Sequence, residues 1–115
     1  MEFASQICTT REQSERLLSL GLKKETADCC YYYYDGEYLI AFAEDAKYPS
    51  DIPAWSLHRL ISIIQDDCPR LDIVTNVVWI KSVRFNADNI YDNLVNAYEW
   101  LIEREYFKKE YLEDK

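Results

Sequence analysis

Residues 28–43 read DCCYYYYDGEYLIAFA: two cysteines, four consecutive tyrosines, an Asp-Gly pair and a second apolar run. Asp-Gly between two runs of strand-forming residues marks a two-residue hairpin turn of type I′. A turn of that length fixes the register. It sets Tyr34 opposite Glu37, Tyr33 opposite Tyr38, Tyr32 opposite Leu39, Tyr31 opposite Ile40, Cys30 opposite Ala41 and Cys29 opposite Phe42. Strand side chains alternate between faces, so the tyrosine run is divided in two. The face with Cys29, Tyr31, Tyr33, Tyr38, Ile40 and Phe42 carries no charge and is the expected core face. The other holds Cys30, Tyr32, Tyr34, Glu37, Leu39 and Ala41, and its Tyr32, Tyr34 and Leu39 are candidate surface contacts. Tyrosine favours strands and pairs well across them, so the tract requires no ligand to explain it.

Upstream, TTREQSERLLSLG offers overlapping capping boxes, Thr9 with Glu12 and Thr10 with Gln13, followed by a short helix that ends at Gly21. Downstream, EDAKYPSD has the composition of a loop. In IPAWSLHRLISIIQDDCP, residues Leu57, Leu60, Ile61 and Ile64 form one helical stripe, with Pro53 or Ser56 at its start. RLDIVTNVVWIKSVRF is rich in β-branched residues. It predicts a main strand from about Val77 to Arg84 and a shorter one before it, and leaves open whether residues 71–85 are one strand or two. The final segment predicts a helix with Tyr91, Leu94, Tyr98, Leu101 and Ile102 inward. Asp88 and Asp92 lie at its positive end, Lys108 and Lys109 at its negative end, and the tail from about 108 to 115 is expected to fray. Trp100 falls off that stripe.

A chain of 115 residues, 49% hydrophobic with only two glycines, is expected to fold as a single domain spanning residues 1–115. The formal net charge is −8, and each half of the chain carries −4. Direct binding to nucleic acid is therefore not expected, because such affinity rests on Lys and Arg displacing counterions. The N-terminal MEFASQICTT lacks a basic region and a long apolar core, which predicts no secretory signal, and no apolar run approaches the roughly 18 residues of a membrane span. The expected location is the cytoplasm, where Cys8, Cys29, Cys30 and Cys68 are structural thiols rather than a disulfide framework.

No phosphate-binding glycine loop and no nucleophile elbow occurs, there is no C-x-x-C, and His58 has no ligand partner at a recognised spacing. The pairs Glu44-Asp45 and Asp66-Asp67 fall at element ends, where acids are commonly solvated. No catalytic set, metal site or cofactor is expected.

Three segments, CTTREQSERLLSLGLKKETAD (8–28), IPAWSLHRLI (52–61) and NADNIYDNLVNAYEWLIE (86–103), resemble in order and spacing a family of small uncharacterised proteins. That family is carried by prophages and other mobile elements of Bacteroides-type gut bacteria. Where its members often have proline after the Asp-Asn of the last helix, this chain has Ile90. The resemblance implies a cytoplasmic bacterial setting of mobile-element origin, and no activity, cofactor or catalytic residue.

Together these readings predict an α+β protein in the order α-β-β-α-β(β)-α, with helices on one face of an antiparallel sheet of three to four strands. The expected function is non-enzymatic binding to another protein or to itself, through Tyr32, Tyr34, Leu39, Trp55 and Trp100, without a membrane. Two alternatives are an acidic inhibitor that mimics nucleic acid and a small enzyme using His58 with a carboxylate.

Overall fold

The computed structural model describes residues 6–42 and 52–113, so the EDAKYPSD loop, the Glu44-Asp45 pair and the first five residues lie outside the described part. The chain is α+β. Helix α1 spans Arg11–Ser19, strand β1 Cys29–Tyr34, β2 Glu37–Phe42, β3 Ile52–Ala54, α2 Leu57–Gln65, β4 Leu71–Val74, β5 Val77–Ile80, β6 Val83–Phe85 and α3 Ile90–Glu103. The order follows the expected one, but the described strands form two antiparallel three-stranded sheets, β2-β1-β3 and β4-β5-β6, instead of one.

Of the two overlapping capping boxes, the second is used. Thr10 accepts from the Gln13 N–H while the Gln13 side chain accepts from the Thr10 N–H. Thr9 is buried and committed elsewhere, its Oγ1 accepting from the Trp55 N–H at 3.0 Å. Gly21, at φ 100°, closes α1 in a Schellman arrangement, with Leu22 N–H donating to Leu17 O and Gly21 N–H to Leu18 O. Ser56, not Pro53, caps α2, and Asp28 holds Ser56 in turn by accepting from its N–H at 2.8 Å and its hydroxyl at 2.5 Å.

Residues 71–85 form three strands, which corrects the expected long strand from Val77 to Arg84. Their turns lie at Thr75-Asn76 and Lys81-Ser82, and Thr75, Lys81 and Ser82 all have positive φ without any glycine. Buried Asn93 of α3 supplies the missing support at the first turn. Its Nδ2 donates to the Asn76 carbonyl and its Oδ1 accepts from the Ala87 N–H.

The larger core lies between α1, α2, α3 and β5, around Leu17, Trp55, Leu60, Val78, Leu94 and Tyr98. A smaller cluster of Cys8, Cys29 and Ala54, with Tyr31 against it, lies at the base of the first sheet. Helix α3 ends at Glu103, short of Lys108 and Lys109, so neither lysine caps its negative end. The tail does not fray through residue 113: Lys23 N–H donates to Tyr111 O at 2.9 Å and Glu113 N–H to Gly21 O at 2.7 Å. Phe107 is buried against the core.

Candidate functional site

The β1–β2 hairpin adopts the register that its turn dictates, from Tyr34 opposite Glu37 to Cys29 opposite Phe42. Asp35 and Gly36 have φ of 50° and 84°, the left-handed pair of a type I′ turn. Among the described residues, strand β3 pairs with β1 at Cys29, Cys30 and Tyr31, the half of β1 nearer the core.

That geometry overturns the expected burial of one face. Tyr33 is 65% exposed, Phe42 68%, and Tyr38 and Ile40 44% each, although all four lie on the face expected to be core. Alternation determines which residues share a face, and burial further requires an element to lie against it. Among the described residues, the segment around Cys8 and Thr9 covers the base of this face. There Tyr31 donates its hydroxyl to the Thr9 carbonyl at 2.8 Å and accepts from Cys8 Sγ at 3.6 Å. On the opposite face Tyr34 is 67% exposed, while Tyr32 and Leu39 are half-buried. The distal hairpin thus presents apolar and aromatic side chains on both faces. Tyr33 and Tyr38 stack edge to face at 5.2 Å, and the Arg11 guanidinium lies 4.2 Å from the centre of the Tyr38 ring.

Of the other anticipated contacts, Trp55 is fully buried and is removed from the surface set. Its Nε1 donates to Thr26 Oγ1 at 2.9 Å, so it serves the core. Trp100 is half-buried against Phe85 and Tyr106, with ring centres 6.2 and 5.7 Å away. The structure therefore brings Tyr32, Tyr34 and Leu39 together on the hairpin and sets Trp100 apart from them. Sequence reasoning missed Tyr33, Tyr38, Ile40 and Phe42 as surface residues.

Among the described residues, the thiols, His58 and Asp66 lie apart from one another. Burial, with Asp28 nearby, pushes Cys29 up to about 12, and burial likewise raises Cys8 and Cys68. Thiols held protonated are poor nucleophiles at neutral pH. His58 is exposed on α2. Asp66 accepts from the Tyr111 hydroxyl and lies 3.7 Å from Lys108 Nζ, so it latches the tail. An open cleft of about 770 Å³ between Arg70, Asp72, Trp79 and Lys81 lies on the far side of the second sheet and includes neither His58 nor Asp66.

No helix among the described residues is long and apolar enough to cross a membrane. No family model, curated protein or solved structure matches the chain.

Proposed function

We propose that this protein is a non-enzymatic protein-interaction module whose contact surface is the distal β1–β2 hairpin. One observation carries the reading: Tyr33, Tyr34 and Phe42 are each about two-thirds exposed, with Tyr38 and Ile40 beside them, on the two faces of one hairpin. Aromatic residues present large, rigid contact area at low entropic cost, and clustered exposure of this kind marks interaction surfaces in folded proteins. The turn supports the same reading, because a type I′ hairpin holds the rings in a fixed frame.

The proposed setting is the bacterial cytoplasm, in a protein of mobile-element origin. It is supported by the resemblance of residues 8–28, 52–61 and 86–103 to such a family. The partner is a protein surface. A net charge of −8 weighs against a nucleic-acid partner. Mimicry of nucleic acid is less favoured, because acids alternate with bases in contacts such as Arg16–Glu99, Arg70–Asp72 and Lys108–Glu110. An enzyme built on His58 is less favoured because the cleft between Arg70, Asp72, Trp79 and Lys81 is not lined by that side chain.

The test is quantitative affinity capture from the source cell, comparing the wild type with Tyr33→Ser/Tyr34→Ser/Phe42→Ser. The expected result is a variant that unfolds within a few degrees of the wild type but loses the partners the wild type retains. Retention of the same partners by the folded variant would move the contact surface elsewhere.

A further inference from the structure

Among the described residues strand β2 is an edge of its sheet, and its outer side has a self-complementary pattern. In a two-residue hairpin the pair that closes the turn, here Tyr34 and Glu37, is hydrogen-bonded, and bonded pairs then alternate along the ladder. The backbone groups of Glu37, Leu39 and Ala41 therefore face β1, while the N–H and C=O of Tyr38 and Ile40 and the N–H of Phe42 face outward. These same three residues carry the side chains left 44%, 44% and 68% exposed on one face. An unpaired edge with apolar side chains above it is a template for another strand.

We infer that the partner of this edge is a second copy of the chain, paired antiparallel through β2 about a twofold axis at Ile40, giving a continuous six-stranded sheet across two molecules. The inference deepens the hairpin reading above and rests on it. Regular antiparallel pairing matches outward-facing residues with outward-facing residues, which restricts the registers. Centring on Ile40 sets Ile40 against Ile40 and Tyr38 against Phe42 of the other copy, so the exposed side chains merge into one patch. Centring on Leu39 would strand Phe42 beside the turn.

Charge opposes the pairing at its ends alone. Asp35 and Glu37 lie at the hairpin tip, and antiparallel pairing directs each tip towards the end of the other β2, after which Glu44 and Asp45 follow in sequence. From Tyr38 to Phe42 the strand is uncharged. A large side chain has ~150–250 Å² to bury, so the exposed fractions of the edge residues Tyr38, Ile40 and Phe42 amount to at most roughly 300 Å² per copy. This is well under half the roughly 800 Å² per partner of a standard stable interface. The dimer is accordingly weak and reversible. Because each copy carries −8, added salt screens the repulsion and tightens it.

The test is sedimentation of the full chain from ~5 to ~500 µM, a span that brackets weak specific association. The expected result is a concentration-dependent dimer, stronger at high salt. Ile40→Pro removes an outward N–H without touching the β1 ladder, so it should abolish the dimer while the fold, read by circular dichroism, is kept. In the parent chain Ile40→Cys should crosslink under oxidised glutathione faster than Leu39→Cys, since paired Cα atoms at about 5.5 Å suit a disulfide. A monomer at every concentration overturns the inference. If that monomer still captures another protein through the hairpin, the interaction reading survives without self-pairing. If it does not, both fail. A dimer that persists in folded Ile40→Pro, or faster crosslinking through Leu39→Cys, overturns the proposed edge or register.

Discussion

Tyr31 and Tyr33 point to the same side of one strand, yet they belong to different environments. Tyr31 is half-buried with its hydroxyl donated to Thr9, whereas Tyr33 is 65% exposed. Truncating Tyr31 to alanine removes packing around Cys8 and Cys29 together with that hydrogen bond, at an expected cost of about 2–3 kcal/mol in urea denaturation. Tyr33→Ala should cost less than ~1 kcal/mol, as for surface positions generally. Equal costs at both positions would mean that the distal hairpin is covered in solution. A second residue-scale expectation comes from Cys29, raised from 9.0 to about 12 by burial first and Asp28 second. The raised value means that the unfolded thiol ionises before the folded one. Its contribution is thus fully present below pH 9 and is lost as pH rises from 9 towards 12, at ~1.4 kcal/mol per pH unit for one thiol. Denaturant midpoints measured at rising alkaline pH should fall more steeply for the wild type than for Cys29→Ala. Parallel curves would show that Cys29 ionises alike in both states.

At the level of elements, legibility followed the turn chemistry. Asp35-Gly36 fixed a register because glycine takes positive φ freely, and every pair along β1 and β2 followed from it. Lys81-Ser82 forms a turn of the same hand from residues that do not advertise it, and Thr75 is left-handed as well. Such positions cost about 1–2 kcal/mol each and persist only where the surroundings impose them. At the first of these turns the imposing group is Asn93, a polar residue inside the apolar surface of α3 that periodicity alone reads as an interruption. Its amide joins α3 to the Asn76 and Ala87 backbone. Asn93→Leu keeps the side chain's size but leaves the half-buried Ala87 N–H and the C=O of exposed Asn76 without their partner. A loss of roughly 1–3 kcal/mol is expected, since an unsatisfied buried group costs about 1–3 kcal/mol and water can replace the partner at Asn76. Amides of β4 and β5 should lose hydrogen-exchange protection first. A variant as stable as the wild type would remove Asn93 as the support of that turn. The candidate site was legible only in part: pairing gave its neighbours, but exposure depended on what packs over each face, which local sequence does not encode.

Across the whole molecule the two clusters are held differently. The larger is closed by the tail, which returns to the end of α1 through Lys23, Gly21, Leu22 and Leu112, while the hairpin joins the smaller cluster through Cys29 and Tyr31. The tail is fastened to the end of α2 by Tyr111 and Lys108 on Asp66. The Tyr111 hydroxyl first, and Lys108 with it, hold the Asp66 carboxyl below its ordinary value of 3.8. A depressed folded value gives stability that is present above 3.8 and lost as pH falls through the folded value, because protonation then removes the acceptor's charge. Acid should therefore release the tail before it disrupts the larger core. The direct reading is hydrogen exchange, corrected for its intrinsic pH dependence, at the Lys23 and Glu113 amides, which donate to Tyr111 and Gly21. Protection at both should drop below about pH 4 while the α3 amides stay protected, consistent with opening in separate units. In Tyr111→Phe the hydroxyl is gone, so protection should already be lower at neutral pH and the acid step smaller. Equal acid steps in the wild type and Tyr111→Phe would mean that another carboxylate controls the closure. The tail would then be held by its backbone bonds and by the burial of Phe107.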